Sequence, residues 1–298
     1  MDWSSFDWTG EWFLAGMVGL ALLLIFWNTR MTSPRGAILG RWMRWLLMGY
    51  FGALLLQHFA MTDRPFWVAY LSAFFLWFMV ETMYNWIAID ALSKSPLPLF
   101  PRYKENRSGD DWPNQKGFIV LREVIRKNGF QRRAALVAMV DETILIRTSV
   151  YENEDHTIRL QVVFLPTRNQ RITACYSIVS VDEEGNRLIT DNSYVPFGGF
   201  YPEEWHLERR PMTRSLANLL QRHRERMDSV GWDFAPFEVD PVDDLNHQQS
   251  VMERVNLELG FLTPLDEREE YGKITREGRY RVWKEVWFLS YFGVTRGY

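Results

Sequence analysis

Three long apolar runs dominate the first third of the chain, at residues 12–27, 45–62 and 66–92. An α-helix rises about 1.5 Å per residue and the hydrocarbon core of a bilayer is about 30 Å thick, so about 20 largely apolar residues suffice to cross it. The runs therefore predict a transmembrane domain of three helices within residues 1–92. A cleaved signal peptide would begin with basic residues, whereas the residues before the first run include acidic groups but no Lys or Arg.

The distribution of basic residues predicts the orientation of these spans. Residues 28–44 contain four Arg and no acidic residue, whereas the short loop at 62–65 contains one of each sign. Further Lys and Arg follow the third run, between Lys94 and Arg107. Because cytoplasmic loops carry an excess of Lys and Arg, the pattern places the N-terminus outside and the C-terminal part in the cytoplasm. The sequence thus predicts an integral protein of an inner or plasma membrane.

The chain beyond residue 92 has the pattern of an α+β domain. A proline-containing linker is expected at 93–114, because proline fixes its own backbone and biases its predecessor away from helix. Within the domain at 115–298, a helix is expected at 115–127. Strands rich in β-branched residues follow at 143–150, 158–164 and 171–181.

A hairpin turn at 182–186, with Gly185 available for a positive φ, returns the chain after the last of these strands. The segment 134–140 is either a further strand or an extension of the preceding helix. The predicted fold is therefore a membrane-anchored α+β protein, with three transmembrane helices followed by a cytosolic antiparallel β-meander of four or five strands flanked by helices.

Helices and a reversal of charge follow the strands. Thr213 is the expected N-cap of one helix, and a second is expected at about 245–259. Residues 232–270 contain eleven acidic residues against Arg254 and Arg268. The last 28 residues are predominantly basic, so the acidic stretch and the C-terminal segment are the expected contact surfaces of the domain.

The C-terminal segment predicts an amphipathic helix at about 276–292, with Thr275 as its cap. Its aromatic residues Tyr280, Trp283, Trp287 and Tyr291 recur on one helical stripe, opposite Lys and Arg. Such a stripe either docks into the domain core or a partner groove, or lies on an anionic lipid surface.

Glu81 and Asn85 are the polar residues of the third apolar run that most require an explanation. An ionisable group within a span is costly unless it is paired or reaches water. The two residues share a helix face at spacing i, i+4. They form either a polar contact between helices near the inner leaflet, or part of a helix that projects into the cytoplasm.

The loop at 194–206 is the candidate site of the soluble domain. Glu203, Glu204 and His206 lie there among aromatic residues and two glycines. A carboxylate beside a histidine can orient it for acid–base chemistry. The alternative is a structural loop that folds its aromatic side chains over the sheet.

The sequence contains no other recognisable catalytic, metal-binding or nucleotide-binding pattern, and neither a metal nor a cofactor is predicted. Its single cysteine, Cys175, lies within a predicted strand, where a small buried hydrophobe is expected. The formal net charge of −3 does not favour nucleic-acid binding.

We therefore expect a non-enzymatic subunit or scaffold whose partners are the lipid bilayer and either another protein or further copies of itself. The alternative is an inner-leaflet enzyme or lipid-binding protein whose small-molecule substrate the sequence does not specify.

Overall fold

The computed structural model describes residues 33–295 except 60, 62, 108–111, 142–144 and 167–171, and before residue 33 it describes positions 10, 12, 15, 16, 18–23 and 26. The chain divides into two compact units. The helical unit comprises Met1–Ile89 and Val286–Gly293, and the sheet unit comprises Asp90–Glu285 and Val294–Tyr298. The change after Ile89 lies close to the predicted boundary after residue 92, whereas the C-terminal segment contributes to both units.

The helical unit contains α1 (Pro34–His58) and most of α2 (Phe66–Lys94). Ser33 caps α1, since its hydroxyl accepts a hydrogen bond from the Gly36 amide at 3.5 Å. The two helices approach closely at Gly52, where an added Cβ would lie 2.5 Å from the Cβ of Ala73. Small residues at such a crossing allow the helix backbones to pack together.

Within the described residues, one helix is long and apolar enough to cross a membrane, rather than the three that were predicted. That helix is α2, and most of its large apolar side chains are exposed. The predicted span at 45–62 belongs to α1, which begins before the apolar run and ends at His58. Helix α1 therefore includes Arg35, Arg41 and Arg44, which lie outside the predicted span. Of the predicted span at 12–27, the positions 12, 15, 16, 18–23 and 26 are described and helical, and the other six lie outside the described residues.

The sheet unit is built on one eight-stranded sheet in which most neighbouring strands are antiparallel. The strands occur in the order β1 to β7, and β8 pairs with the end of β5. Only the pair β6 and β7 is parallel among the pairings of the described strands. Their bounds are β1 Tyr103–Glu105, β2 Gln131–Met139, β3 Leu145–Glu152, β4 Arg159–Pro166, β5 Ile172–Asp182, β6 Arg187–Asp191, β7 Trp205–Arg209 and β8 Phe234–Ala235.

The mixed α+β prediction is confirmed, but the sheet is larger than the predicted meander. The ambiguous segment 134–140 belongs to strand β2. Strand β1 lies inside the predicted linker, where the Asn246 side chain bonds the backbone NH and carbonyl of Tyr103 at 2.7 and 2.9 Å. The loop at 194–206, which we call the aromatic loop, leads into strand β7. This strand pairs with β6 in a parallel orientation. Both additions depend on contacts distant in sequence.

The helices of the sheet unit agree with the predictions in place but not at every end. The helix expected after Thr213 is capped by Ser215 instead, whose hydroxyl accepts from the Asn218 amide at 3.4 Å. The helix expected from residue 245 starts earlier, because Asp240 caps it and Pro241 occupies its first turn. The remaining bounds are α3 Lys116–Lys127, α4 Leu216–Val230, α5 Pro241–Glu258, α6 Arg268–Tyr271 and α7 Arg276–Trp287, with a 3-10 turn at Leu265–Glu267 and a π-helical turn at Phe288–Phe292.

The two faces of the sheet are covered differently. On one face, Leu160 and Ile178 belong to a buried core that also contains Leu121 of α3 and Leu219 of α4. On the other face, Leu136 and Val150 pack with Leu245 of α5. Alternate residues of each strand therefore face either a continuous apolar core or the α5 side of the sheet.

A buried ion-pair network attaches α5 to the sheet. Arg159 is 1% exposed, and its guanidinium lies 2.7 Å from Glu152 and 2.6 Å from Asp244. Arg187 reaches the second oxygen of Asp244 at 2.6 Å. Because each buried charge has an opposite partner, the network offsets the cost of removing these groups from water.

Candidate functional site

A cleft of about 510 Å³ lies on the α5 side of the sheet. Ligand sites commonly have volumes of about 300 to 1,000 Å³. Strands β4 to β7 form its floor, α5 forms one wall, and the aromatic loop and the segment before β1 supply further walls. Among its lining residues are Phe100, Gln161, Ser177, Asp191, Phe197, Tyr201, Arg209, Gln248 and Met252.

A row of polar side chains crosses the floor of this cleft. Gln161 of β4 is the register partner of Ser177 of β5, which in turn is paired with Asp191 of β6. Asp191 is paired with Arg209 of β7. Directly opposite residues on neighbouring strands project from the same face of a sheet. The pairing therefore assembles one polar row from four strands, opposite the apolar core.

Asp191 and Arg209 form the charged end of the row. The Arg209 Nε donates to the two carboxylate oxygens of Asp191 at 3.0 and 3.2 Å, and its second guanidinium nitrogen donates to Tyr201 Oη at 2.7 Å. Burial raises the pKa of Asp191, while Arg209 opposes that shift. Burial also raises the pKa of Tyr201 to about 12. The phenol therefore remains protonated at neutral pH, and the group acts as a fixed hydrogen-bonded cluster.

Gln161 lies at the other end of the row and is 7% exposed. Its Nε2 has no hydrogen-bond partner among the described residues. A buried polar group without a partner costs about 1–3 kcal/mol, and such groups in native proteins require an explanation. Gln161 lines the cleft, but this nitrogen has almost no accessible surface and is therefore shielded from it.

The predicted site at Glu203, Glu204 and His206 is not assembled as a catalytic group. Glu203 lines a second cleft of about 400 Å³, together with Tyr201 and Arg209. Both glutamates and His206 are exposed. The His206 ring meets Trp232 at a centroid distance of 4.8 Å, and no hydrogen bond within the described chain joins it to either glutamate.

Glu81, the predicted polar contact of the third apolar run, forms a hydrogen-bonded centre within the helical unit. Its carboxylate accepts from Trp45 Nε1 at 2.6 Å and from Tyr291 Oη at 2.5 Å. Trp42 Nε1 donates to the Tyr291 carbonyl at 3.0 Å. Asn85, one turn beyond Glu81, is half-buried. The sequence singled out Glu81, but its partner Tyr291 is too distant in the chain to be predicted from helix spacing.

The predicted aromatic stripe of the C-terminal segment is divided between the two units. Trp287 and Tyr291 belong to the helical unit and stack at a centroid distance of 4.7 Å. Tyr280 and Trp283 belong to the sheet unit and stack at 5.7 Å. Each unit therefore contains one stacked pair from the predicted stripe.

The described residues contain no group of three or more His, Cys, Asp or Glu side chains that could hold a metal ion. Burial raises the pKa of the Cys175 thiol, which disfavours the thiolate that a nucleophile requires. Comparison of the chain with protein-family models, with curated proteins and with solved structures gives no match. The interpretation of the cleft therefore rests on its own geometry.

Sequence reasoning missed the polar row, although one signal for it was present. Arg159 and Gln161 alternate with the apolar residues of β4, which indicates that they share the face opposite the core. The alternation cannot show that Ser177, Asp191 and Arg209 lie beside them, since that depends on strand order and register.

Proposed function

We propose that this protein is a non-enzymatic subunit of a larger membrane assembly, in which α2 crosses the bilayer and the sheet unit is an interaction domain. The exposed apolar side chains of α2 support its insertion into a membrane. Soluble proteins rarely expose large contiguous apolar patches. Lys94 is the last residue of this helix, and Arg102 and Lys104 follow it. Under the positive-inside rule, they support a cytoplasmic position for the sheet unit.

The main support for this proposal is an exposed patch formed by residues of the segment from Leu257 to Tyr271, which we call the acidic patch. Its apolar side chains include Leu265, 73% exposed, Leu259, 55% exposed, and Tyr271, 52% exposed. Exposed acidic residues lie among them, at Glu258, Asp266, Glu267, Glu269 and Glu270. Exposed apolar groups surrounded by charge are typical of surfaces that bind other proteins.

The negative charge of this patch indicates the charge expected on the surface of its partner. A cluster of carboxylates attracts a surface that is rich in Lys and Arg and disfavours an acidic one. Lipid surfaces of the cytoplasmic leaflet are themselves negatively charged, so the patch favours a polypeptide over the membrane. We therefore propose a basic, partly apolar protein surface as the partner, supplied by another subunit of the assembly.

Native mass spectrometry of the protein extracted in mild detergent tests this proposal. The test variant replaces Glu269 and Glu270 by Lys. The matched control replaces Glu154 and Asp155 by Lys, since these residues are exposed on the turn between β3 and β4, outside the acidic patch. We expect an added polypeptide mass on the parent and the control but not on the test variant. Circular dichroism should show equal folding of all three proteins.

Three results would contradict the proposal. The parent protein could carry no added polypeptide at all, or the test variant could keep it as fully as the control. Loss of folding in the double lysine variant would also count against it, because an exposed interaction surface tolerates charge reversal without unfolding.

A further inference from the structure

The outer side of α3 carries the opposite charge to the acidic patch. Leu121 and Ile125 of this helix are buried in the core of the sheet unit. The other side of the helix is exposed, and we call this exposed side the basic face. Apart from Glu123, its charged residues are all basic, at Lys116, Arg122, Arg126 and Lys127.

Two large apolar residues lie at the centre of the basic face. Ile119 and Val120 are 62% and 61% exposed. Both are β-branched, and β-branched residues favour a helix less than Lys or Glu does. Neither helix formation nor burial in the core therefore explains their presence. Exposed apolar side chains among charged groups are typical of a surface that binds another protein.

The basic face and the acidic patch complement each other in charge and in apolar content. The acidic patch surrounds Leu259, Leu265 and Tyr271 with carboxylates, just as the basic face surrounds its two apolar residues with Lys and Arg. Contact between the two surfaces would bury apolar side chains on both. It would also place opposite charges together around them, whereas two acidic or two basic surfaces repel each other.

The two surfaces lie on opposite sides of the sheet. Helix α3 packs on the core that contains Leu160 and Ile178. The acidic patch follows α5, which covers the other face through Leu245. Phe261, within the segment of the patch, lines the cleft on that same side. The two surfaces of one chain therefore cannot meet, and a contact between them joins two copies.

We propose that the acidic patch of one copy of this protein binds the basic face of a second copy. This inference names the partner of the acidic patch and therefore rests on the proposed function. Ile119, Val120 and Leu265 lie at the centre of the interface, and the surrounding lysines and carboxylates pair at its rim. The contact is between two different surfaces, so it can be repeated to add further copies.

Paired charge reversals in the purified full-length protein test the proposal. The acidic-patch variant carries Glu269→Lys and Glu270→Lys, and the basic-face variant carries Lys116→Glu and Lys127→Glu. Since Lys116 and Lys127 are at opposite ends of α3, their reversals have opposing effects on the helix dipole. Native mass spectrometry in mild detergent measures association. We expect multiples of the chain mass for the parent and a monomer for each variant alone.

Restored association distinguishes a specific contact from damage to the fold. When the two variants are mixed in equal amounts, each surface again meets one of opposite charge, so we expect the multiples to return. A single chain that carries all four reversals should associate with itself for the same reason. The control Lys116→Arg and Lys127→Arg keeps both charges and should associate as the parent does. Circular dichroism should show equal folding of all these proteins.

Three results would overturn this inference. The parent could be monomeric at micromolar concentration, or association could fail to return both in the mixture and in the chain with four reversals. The basic face could instead bind anionic lipid vesicles while the parent stays monomeric, which would assign this face to a membrane surface. If a different polypeptide occupies the acidic patch and is lost in the acidic-patch variant, the proposed function stands and this inference alone fails.

Discussion

Acidification below pH 6.5 should destabilise the sheet unit through His223 of α4. This histidine is fully buried. Its Nδ1 lies 3.0 Å from Thr190 Oγ1 and its Nε2 lies 3.1 Å from Ser180 Oγ. Burial, reinforced by Arg226 and Arg224, lowers the pKa of His223 to about 3. The folded protein therefore holds a neutral imidazole throughout the physiological range.

The size of this destabilisation follows from the difference between the pKa values of His223 in the folded and unfolded states. An unfolded histidine titrates near pH 6.5, and one pKa unit corresponds to 1.36 kcal/mol. Because the folded pKa is lower, the unfolded state binds the proton first. The contribution of His223 is complete above pH 6.5 and is lost as the pH falls from 6.5 toward about 3. Between pH 8 and pH 5 the expected loss is about 2 kcal/mol.

The assay is urea unfolding of the detergent-solubilised protein, followed by far-ultraviolet circular dichroism at pH 8 and pH 5. His223→Gln retains hydrogen-bonding atoms but cannot take up this proton, so comparison with the parent isolates one residue. We expect the free energy of unfolding of the parent to fall by about 2 kcal/mol more than that of the variant. An equal fall in the two proteins would refute the argument.

Two further substitutions test packing, each against a matched control. Asp244→Asn should lower the free energy of unfolding by about 3–5 kcal/mol, because Arg187 loses its carboxylate partner and the buried Arg159 keeps only Glu152. Asp243→Asn at the exposed neighbouring position should change the free energy of unfolding little. Equal losses of unfolding free energy in Asp244→Asn and Asp243→Asn, measured in the same urea assay, would show that the buried network does not stabilise the fold. Gly52→Ala should destabilise the helical unit by about 1–3 kcal/mol, since the new Cβ would lie 2.5 Å from that of Ala73. Gly40→Ala should not destabilise it, because no described atom outside the adjoining helix backbone lies within 4 Å of the added Cβ. Unfolding in a strong detergent measures both variants, and an effect at Gly52 no larger than that at Gly40 would contradict the close crossing.

Much of the secondary structure follows from local pattern. The predicted hairpin at 182–186 is confirmed, and Asp182 stabilises it by accepting the amides of Glu184 and Asn186 at 3.0 and 2.7 Å. The predicted cap of the C-terminal helix is also confirmed, since Thr275 Oγ1 accepts from the Gly278 amide at 3.0 Å. These features involve residues within four positions of one another, so the sequence alone is sufficient to predict them.

The apolar runs show that local pattern alone does not predict where a helix begins and ends. The length and composition of α2 follow directly from the sequence. The run at 45–62 has a similar local composition, but the helix that contains it extends back to Pro34 and includes three arginines. The start of this helix depends on the cap at Ser33 rather than on apolar content alone.

The sequence by itself determined the α+β character of the chain and the strand faces, because these depend on periodicities of 2 and 3.6 residues. It also determined the apolar length of α2, which follows from a continuous apolar run. Tertiary structure decided what meets on those faces. It placed Gln161, Ser177, Asp191 and Arg209 in one row and brought Tyr291 to Glu81. Strand register determines such assemblies, since a shift of one residue turns every side chain of a strand to the opposite face. Register in turn depends on turns, buried apolar pairs and ion pairs between residues far apart in the chain.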